Sequence, residues 1–367
     1  MDGYLRGDVV RVGGDARQRF HDSRGYGRPA GGNEIELSRV EAAHLLFRGD
    51  LDAVDGRGFR EFFVSATAER ERFALRFLVY VDLRERGFYL SPAREGWPGV
   101  QGDPDYDYVV YPRGKGPYDG VAEYRVRIVG ERRSVAAADL PRNVLAVVDE
   151  ESEITYLDVD RYEFEGRTDY DPPESLEAEL LDDRAICWDA PDDLYERGFY
   201  GQPFSARTGT IDDALQLSLV EAAALAAQGV LTIGDGDDDG GGDDGDIADG
   251  EDGDGGFDAV VARGRAVEGE RFDRRLRVYR ALRERRVVPK TGFKFGADFR
   301  TYAEVESVEN LGHSECLIRV VTPDHEFAPR DLALDVRLAG GVRKRMVFAL
   351  TDANGGIDWI SVARLTP

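Results

Sequence analysis

One pattern is written twice along this 367-residue chain. Gly25-Tyr26-Gly27-Arg28-Pro29 is followed by Leu37-Ser38-Arg39-Val40-Glu41-Ala42-Ala43. Later, Phe199-Tyr200-Gly201-Gln202-Pro203 is followed by Leu217-Ser218-Leu219-Val220-Glu221-Ala222-Ala223. Further on, Val79-Tyr80-Val81-Asp82-Leu83-Arg84-Glu85-Arg86 matches Val278-Tyr279-Arg280-Ala281-Leu282-Arg283-Glu284-Arg285. A unit of roughly 170–190 residues is a duplicated subunit; solenoid repeats are several-fold shorter. Any fold proposed for one half must therefore be available to the other.

Local chemistry supports the match. Ser38 with Glu41, and Ser218 with Glu221, form the S-x-x-E capping box that opens a helix. Val40, Ala43 and Phe47 then fall at helical spacing on one face. A second helix is expected over 67–86, closed by Gly87, with a counterpart over 269–286. Strand-type runs follow at 123–129, 143–148 and 154–159, matching 315–321, 346–350 and 357–362. The fold class is mixed α/β, duplicated in tandem. We divide it at 1–66 and 67–166 for the first copy and 167–233 and 257–367 for the second. The segment 234–256 is an insert.

That insert holds ten Asp, one Glu and no basic residue. Asp235, Asp237, Asp239 and Asp246 superficially fit a calcium loop, but the template also wants a closing Glu and flanking helices. Composition favours a solvated, disordered loop. It carries nearly half of the net charge of −24. Such an acid surplus repels nucleic acid at low salt. It suits a high-salt cytoplasm, where screening is short-ranged and local basic residues decide. The two cysteines, Cys187 and Cys316, are too few for a disulfide framework and read as reduced core residues. No apolar leader opens the chain and no run is long enough to span a bilayer, so a soluble cytoplasmic protein is expected.

Chemistry-bearing groups concentrate near the C-terminus: the run Lys290-Thr-Gly-Phe-Lys-Phe-Gly-Ala-Asp-Phe-Arg-Thr-Tyr302, then Gly312-His313-Ser314-Glu315, then Val342-Arg343-Lys344-Arg345. A phenol, an imidazole and an ammonium can move protons and stabilise an oxyanion. Matching the copies sets Tyr111 against Tyr302, Val121 against His313 and Pro141 against Lys344. The first copy keeps only the phenol. Each group has a plainer reading: Tyr302 as a core phenol, His313 as an ordinary loop histidine, Lys344 as part of a solvated basic edge. Of the other histidines, His21 and His44 read as surface or helix-face residues, and His325 sits in an acidic loop.

These three segments closely resemble the archaeal tRNA-splicing endonucleases (tRNA-intron endonucleases), strongly over 278–359 and more weakly elsewhere. The resemblance implies a small N-terminal α/β subdomain and a restriction-endonuclease-like subdomain with a mixed sheet in each repeat, the first repeat inactive. It implies Tyr302 as base, His313 as acid and Lys344 as charge stabiliser. RNA's own 2′-OH then attacks, giving a 2′,3′-cyclic phosphate and a 5′-hydroxyl, with no metal or other cofactor in the chemical step. A free phenol titrates near ~10, so a base at Tyr302 needs a cation nearby. His313 as base with Tyr302 as positioner stays open.

The resemblance also implies precursor tRNA with a bulge-helix-bulge as substrate, homodimer formation, and no DNA or membrane partner. Arg337 and Arg364 are the candidates to clamp a bulged base; each otherwise reads as a surface ion-pair residue. The acidic turn Asp149, Glu150, Glu151 and Glu153 is the candidate to dock on the partner, against plain halophilic surface charge. Two other hypotheses compete. One is a metal-dependent nuclease, with Asp298 and Glu315 as the nearest acid pair; the other is a non-catalytic RNA-binding scaffold.

Overall fold

A computed structural model describes residues 1–100, 102, 104–206, 209–234 and 255–367; the acidic insert lies outside these, save for its ends. In chain order the first half comprises β1 (Asp2–Arg6), β2 (Val9–Val12), β3 (Arg28–Gly31), β4 (Glu34–Ser38), α1 (Arg39–Phe47), β5 (Ala53–Val54), α2 (Phe59–Glu69) and α3 (Phe73–Glu85). It continues with β6 (Tyr89–Pro92), β7 (Tyr108–Tyr111), β8 (Tyr124–Gly130), β9 (Val135–Ala136), β10 (Val144–Val148) and β11 (Ile154–Arg161). The second half opens with β12 (Leu176–Leu180), β13 (Arg184–Cys187), α4 (Asp192–Glu196), β14 (Gln202–Ala206), β15 (Gly209–Ser218), α5 (Leu219–Ala226) and β16 (Leu231–Ile233). After the insert come α6 (Gly255–Glu268), α7 (Arg271–Glu284), β17 (Val288–Thr291), β18 (Phe299–Tyr302), β19 (Cys316–Val321), β20 (Glu326–Phe327), α8 (Pro329–Gly341), β21 (Arg345–Thr351) and β22 (Ile357–Leu365).

By packing, one unit is Met1–Arg161 with Asp324–Arg337 and Ser361–Pro367; the other is Tyr162–Pro323 with Leu338–Ile360. In the first, a five-stranded sheet of order β3-β4-β2-β1-β5 precedes strands of order β6-β7-β8-β10-β11. In the second, β14-β15-β13-β12-β16 precedes β17-β18-β19-β21-β22. Each later sheet is mixed: β8 with β10, and β19 with β21, run parallel, and their other described pairings are antiparallel. Each unit has its own apolar core.

The two halves agree in register, not only in element order. Tyr108 lies opposite Val126 as Phe299 lies opposite Ile318. Val144 pairs with Val126 as Val347 pairs with Ile318, and Tyr89 with Tyr111 as Val288 with Tyr302. A one-residue slip would send every side chain to the other face, so the sequence matching through these strands holds without a shift. Both capping boxes are formed: the Ser38 and Ser218 hydroxyls each accept from the backbone N–H three residues on, at 3.3 Å. In turn Glu41 and Glu221 accept from the serine N–H at 2.8 and 3.0 Å. Two isologous carboxylate clips also recur. Asp107 takes Arg72, Arg76 and the Ile128 N–H; Asp298 takes Arg271, Arg275 and the Val320 N–H. Both cysteines are free and buried.

Three expectations need correction. The helix foreseen over 67–86 is two: Arg70 leaves α2 in an extended conformation, φ −132° and ψ 117°, and Arg72 enters α3 from the left-handed region at φ 59°. Phe47 is 54% exposed and does not share the buried face of Val40 and Ala43, although its ring meets Phe59 and Phe77. His21 and His44 are buried, not superficial. His44 lies 2.9 Å from the Tyr26 hydroxyl, and burial with the Arg84 charge pulls its pKa down to about 4. Gly87 closes α3 at φ 90° as anticipated; Arg286, at the matching position after α7, takes φ 58° without being glycine.

Candidate active site

Tyr302 ends β18 and is 6% exposed. It sits in a small apolar cluster with Phe199, Val288 and Val305, its ring 5.6 Å from that of Phe199. The ladder then brings the other two segments to the same end of the sheet. Thr301 pairs with Cys316 and Cys316 with Arg345. The pairing extends one residue further: the Glu315 N–H donates to the Thr301 carbonyl and the Arg345 N–H to the Glu315 carbonyl, each at 2.9 Å. Tyr302, Glu315 and Lys344 therefore form the next row across three adjacent strands.

Lys344 donates to the Ser314 carbonyl at 2.6 Å and lies 5.7 Å from the Phe295 ring. His313 precedes Ser314 in an exposed loop, so the segment that carries the imidazole is braced on one side by the lysine and on the other by the tyrosine's strand. Burial, with a contribution from Arg300, lowers the Lys344 pKa. No carboxylate pairs with Lys344 or Arg300 among the described residues. Lys344 and Arg300 thus stand without an ion-pair partner at the end of the sheet where the phenol lies, with the Glu315 position in the row between. Such an arrangement suits stabilisation of a developing oxyanion.

The first half lacks this arrangement. Tyr111 lies 2.9 Å from both the Ser91 hydroxyl and the Pro98 carbonyl, and burial pushes its phenol up to about 12. Val121 is exposed and Pro141 buried at the positions matched to His313 and Lys344.

Other sequence candidates sort by their partners. Asp298 is not free to hold a metal with Glu315: Arg271 and Arg275 occupy one oxygen and the Val320 N–H the other. Asp107 does the same in the first half, which marks the residue as a structural clip. Asp149 likewise holds its own turn, accepting from the Glu151 and Glu153 N–H groups at 2.9 and 2.8 Å. Asp352 makes the same two bonds to Asn354 and Gly356, so Asp149 is explained without a partner protein. Glu150, Glu151 and Glu153 remain exposed; Glu150 pairs with Arg132. Arg337, in α8, and Arg364, in β22, are both exposed and belong to the unit that starts at Met1.

Sequence reasoning missed the role of Lys290. Its ammonium lies 2.7 Å from Glu221 and 2.9 Å from the Gly201 carbonyl, so it ties β17 to the capping box of α5. Burial raises the Glu221 carboxyl, but Lys290 and Ser218 together outweigh it and leave the group below its ordinary range. Burial, together with the Arg283 and Arg300 charges, outweighs Glu221 and lowers Lys290. The 2.7 Å contact identifies the two as a charged pair.

A family model described as tRNA intron endonuclease, catalytic C-terminal domain, matches residues 272–359, the stretch that contains all three candidate groups. A second, tRNA intron endonuclease, N-terminal domain, matches twice, at 1–63 and 176–242. Similar proteins include the tRNA-splicing endonuclease of Haloferax volcanii, 58% identical over the full length of both chains. That of Haloarcula marismortui is 57% identical, again over both full lengths. The tRNA-splicing endonuclease of Methanococcoides burtonii is 39% identical over 98% of this chain and 97% of its own.

Proposed function

This chain belongs to the tRNA intron endonuclease family, and from that premise we propose that it is a tRNA-splicing endonuclease that cuts precursor tRNA at both junctions of a bulge-helix-bulge. RNA supplies the nucleophile, its own 2′-OH. Tyr302 takes that proton, His313 protonates the departing 5′-oxygen, and Lys344 stabilises the charge that builds on the phosphorane. The products are a 2′,3′-cyclic phosphate and a 5′-hydroxyl, without a metal in the chemical step. The observation that carries this reading is the row of three strands that sets Tyr302, the His313 loop and Lys344, which has no ion-pair partner, at one end of the sheet.

The first half serves as the disarmed sibling, its tyrosine tied to Ser91 and Pro98. Two chains form a homodimer with two such sites, which suits a substrate with two cleavage points. Glu150, Glu151 and Glu153 dock on the partner, and Arg337 and Arg364 clamp a bulged base. The test is incubation of the full chain with a bulge-helix-bulge RNA in EDTA at high salt, followed by end-group analysis. Cyclic-phosphate and 5′-hydroxyl ends are expected. Cleavage that stops on chelation and returns with a divalent ion overturns the metal-independent mechanism.

A further inference from the structure

Phe293 is 85% exposed, more than any other large apolar side chain described. A single exposed apolar residue is ordinary, but three observations set this one apart. First, its turn is rigid. The Gly292 N–H donates to the Asp298 carbonyl at 3.1 Å, and the Phe295 and Ala297 N–H groups donate back to Gly292 at 2.8 and 3.2 Å. Gly292 admits no side chain, since a Cβ there meets the Ala297 carbonyl oxygen at 2.8 Å, and Gly296 closes the turn at φ 68°. Second, the same turn puts Phe295 5.7 Å from the Lys344 ammonium, and Phe293 stands two residues before it in that turn. Third, the feature is confined to the armed half. By the register of β6 with β17, Phe293 and Lys294 stand where the first half has Arg94 and Glu95, and Trp97, which follows them, is buried.

We propose that Phe293 is a stacking platform for an unpaired base beside the cut phosphodiester. Unpaired RNA bases stack on aromatic side chains largely without regard to sequence. A platform held by a rigid turn loses little conformational freedom on binding. Lys294, exposed beside it, faces solvent with the charge that a phosphate backbone attracts. This inference rests on the reading of the function given above and names a subsite of that same site.

The test measures steady-state cleavage of a bulge-helix-bulge RNA by the wild type and by Phe293→Ala, Phe293→Leu and Phe293→Trp, with sizing of each variant. Phe293→Ala is expected to raise KM about tenfold with kcat nearly unchanged. Tryptophan is expected to restore wild-type behaviour and leucine is not. A substrate with an abasic nucleotide at the contacted bulge position is expected to erase the difference between wild type and Phe293→Ala. An unchanged KM, a leucine variant as good as tryptophan, or a difference that survives in the abasic substrate overturns the platform. A change of oligomeric state in Phe293→Ala reassigns the ring to a subunit contact and also overturns it. Failure of the wild type to cut the RNA falls on the proposed function instead and is seen before any variant is compared.

Discussion

Replacing Glu221 with glutamine should destabilise the unit that holds the candidate site far more than the matching change at Glu41. The two carboxylates occupy equivalent capping boxes and accept equivalent bonds: Glu221 from Gly201, Ser218 N–H and Ser218 hydroxyl, Glu41 from Gly27, Ser38 N–H and Ser38 hydroxyl. Only Glu221 also holds a lysine. Lys290 and Glu221 have side chains 10% and 8% exposed, so Glu221→Gln leaves a buried ammonium with neutral acceptors only. Breaking a buried pair from one side costs about 3–5 kcal/mol. Glu41→Gln strands no cation, because Ser91 stands where Lys290 does, and should cost about 1 kcal/mol for a weakened hydrogen bond. At roughly 2–4 °C per kcal/mol, thermal unfolding should fall by roughly 6–20 °C for Glu221→Gln and by roughly 2–4 °C for Glu41→Gln. Calorimetry at fixed salt measures both. The double variant Glu221→Gln with Lys290→Met should recover most of the loss, since it removes the buried charge left without its counter-ion. Equal losses at the two sites, or a double variant as unstable as the single one, would refute the assignment of Lys290 as the cause.

The same two carboxylates should respond oppositely to acid. The folded-state pKa of Glu221 is lowered, so its stabilisation is present above the ordinary glutamate value and lost as pH falls through the folded value; the gap between wild type and Glu221→Gln should narrow on acidification. That of Glu41 is raised, burial being the largest cause. Its contribution is present below the ordinary value and lost as pH rises, so the gap to Glu41→Gln should widen on acidification. Arg286→Gly should stabilise by about 1 kcal/mol in the same calorimetric assay, because it relieves a left-handed non-glycine residue after α7. Neutralising Glu150, Glu151 and Glu153 while keeping the turn-forming Asp149 should yield monomer in sizing; an unchanged dimer would reject the docking role.

Much of the fold was legible because its signals are local or repeated. The capping boxes, the glycine after α3 and the strand runs each depend on a few neighbouring residues, and the duplication let each half check the other. The candidate groups Tyr302, His313 and Lys344 stood out by the resemblance of their segments to a known family, with weight added by the loss of two of the three in the sister half. What escaped depends on partners distant in sequence. His44 is buried because Tyr26 and Tyr80 surround it, and nothing in the sequence around position 44 says so. Lys290 looked like one charge in a basic run until the fold set it on Glu221, 69 positions away. Asp298 resembled a metal ligand until α7 supplied two arginines and β19 an N–H. The break between Arg70 and Arg72 reflects backbone conformations that the helical pattern of 67–86 does not encode.

In the proposed mechanism one phenol, one imidazole and one ammonium act on the same phosphodiester. Single-turnover cleavage of a bulge-helix-bulge RNA by Tyr302→Phe, His313→Ala, Lys344→Ala and their pairwise combinations tests it directly. Each single change should slow the chemical step by about 10²-fold or more, and the pairs should fall well short of the product of their singles, as groups that act as a unit do. Wild-type rates in the three single variants would contradict it.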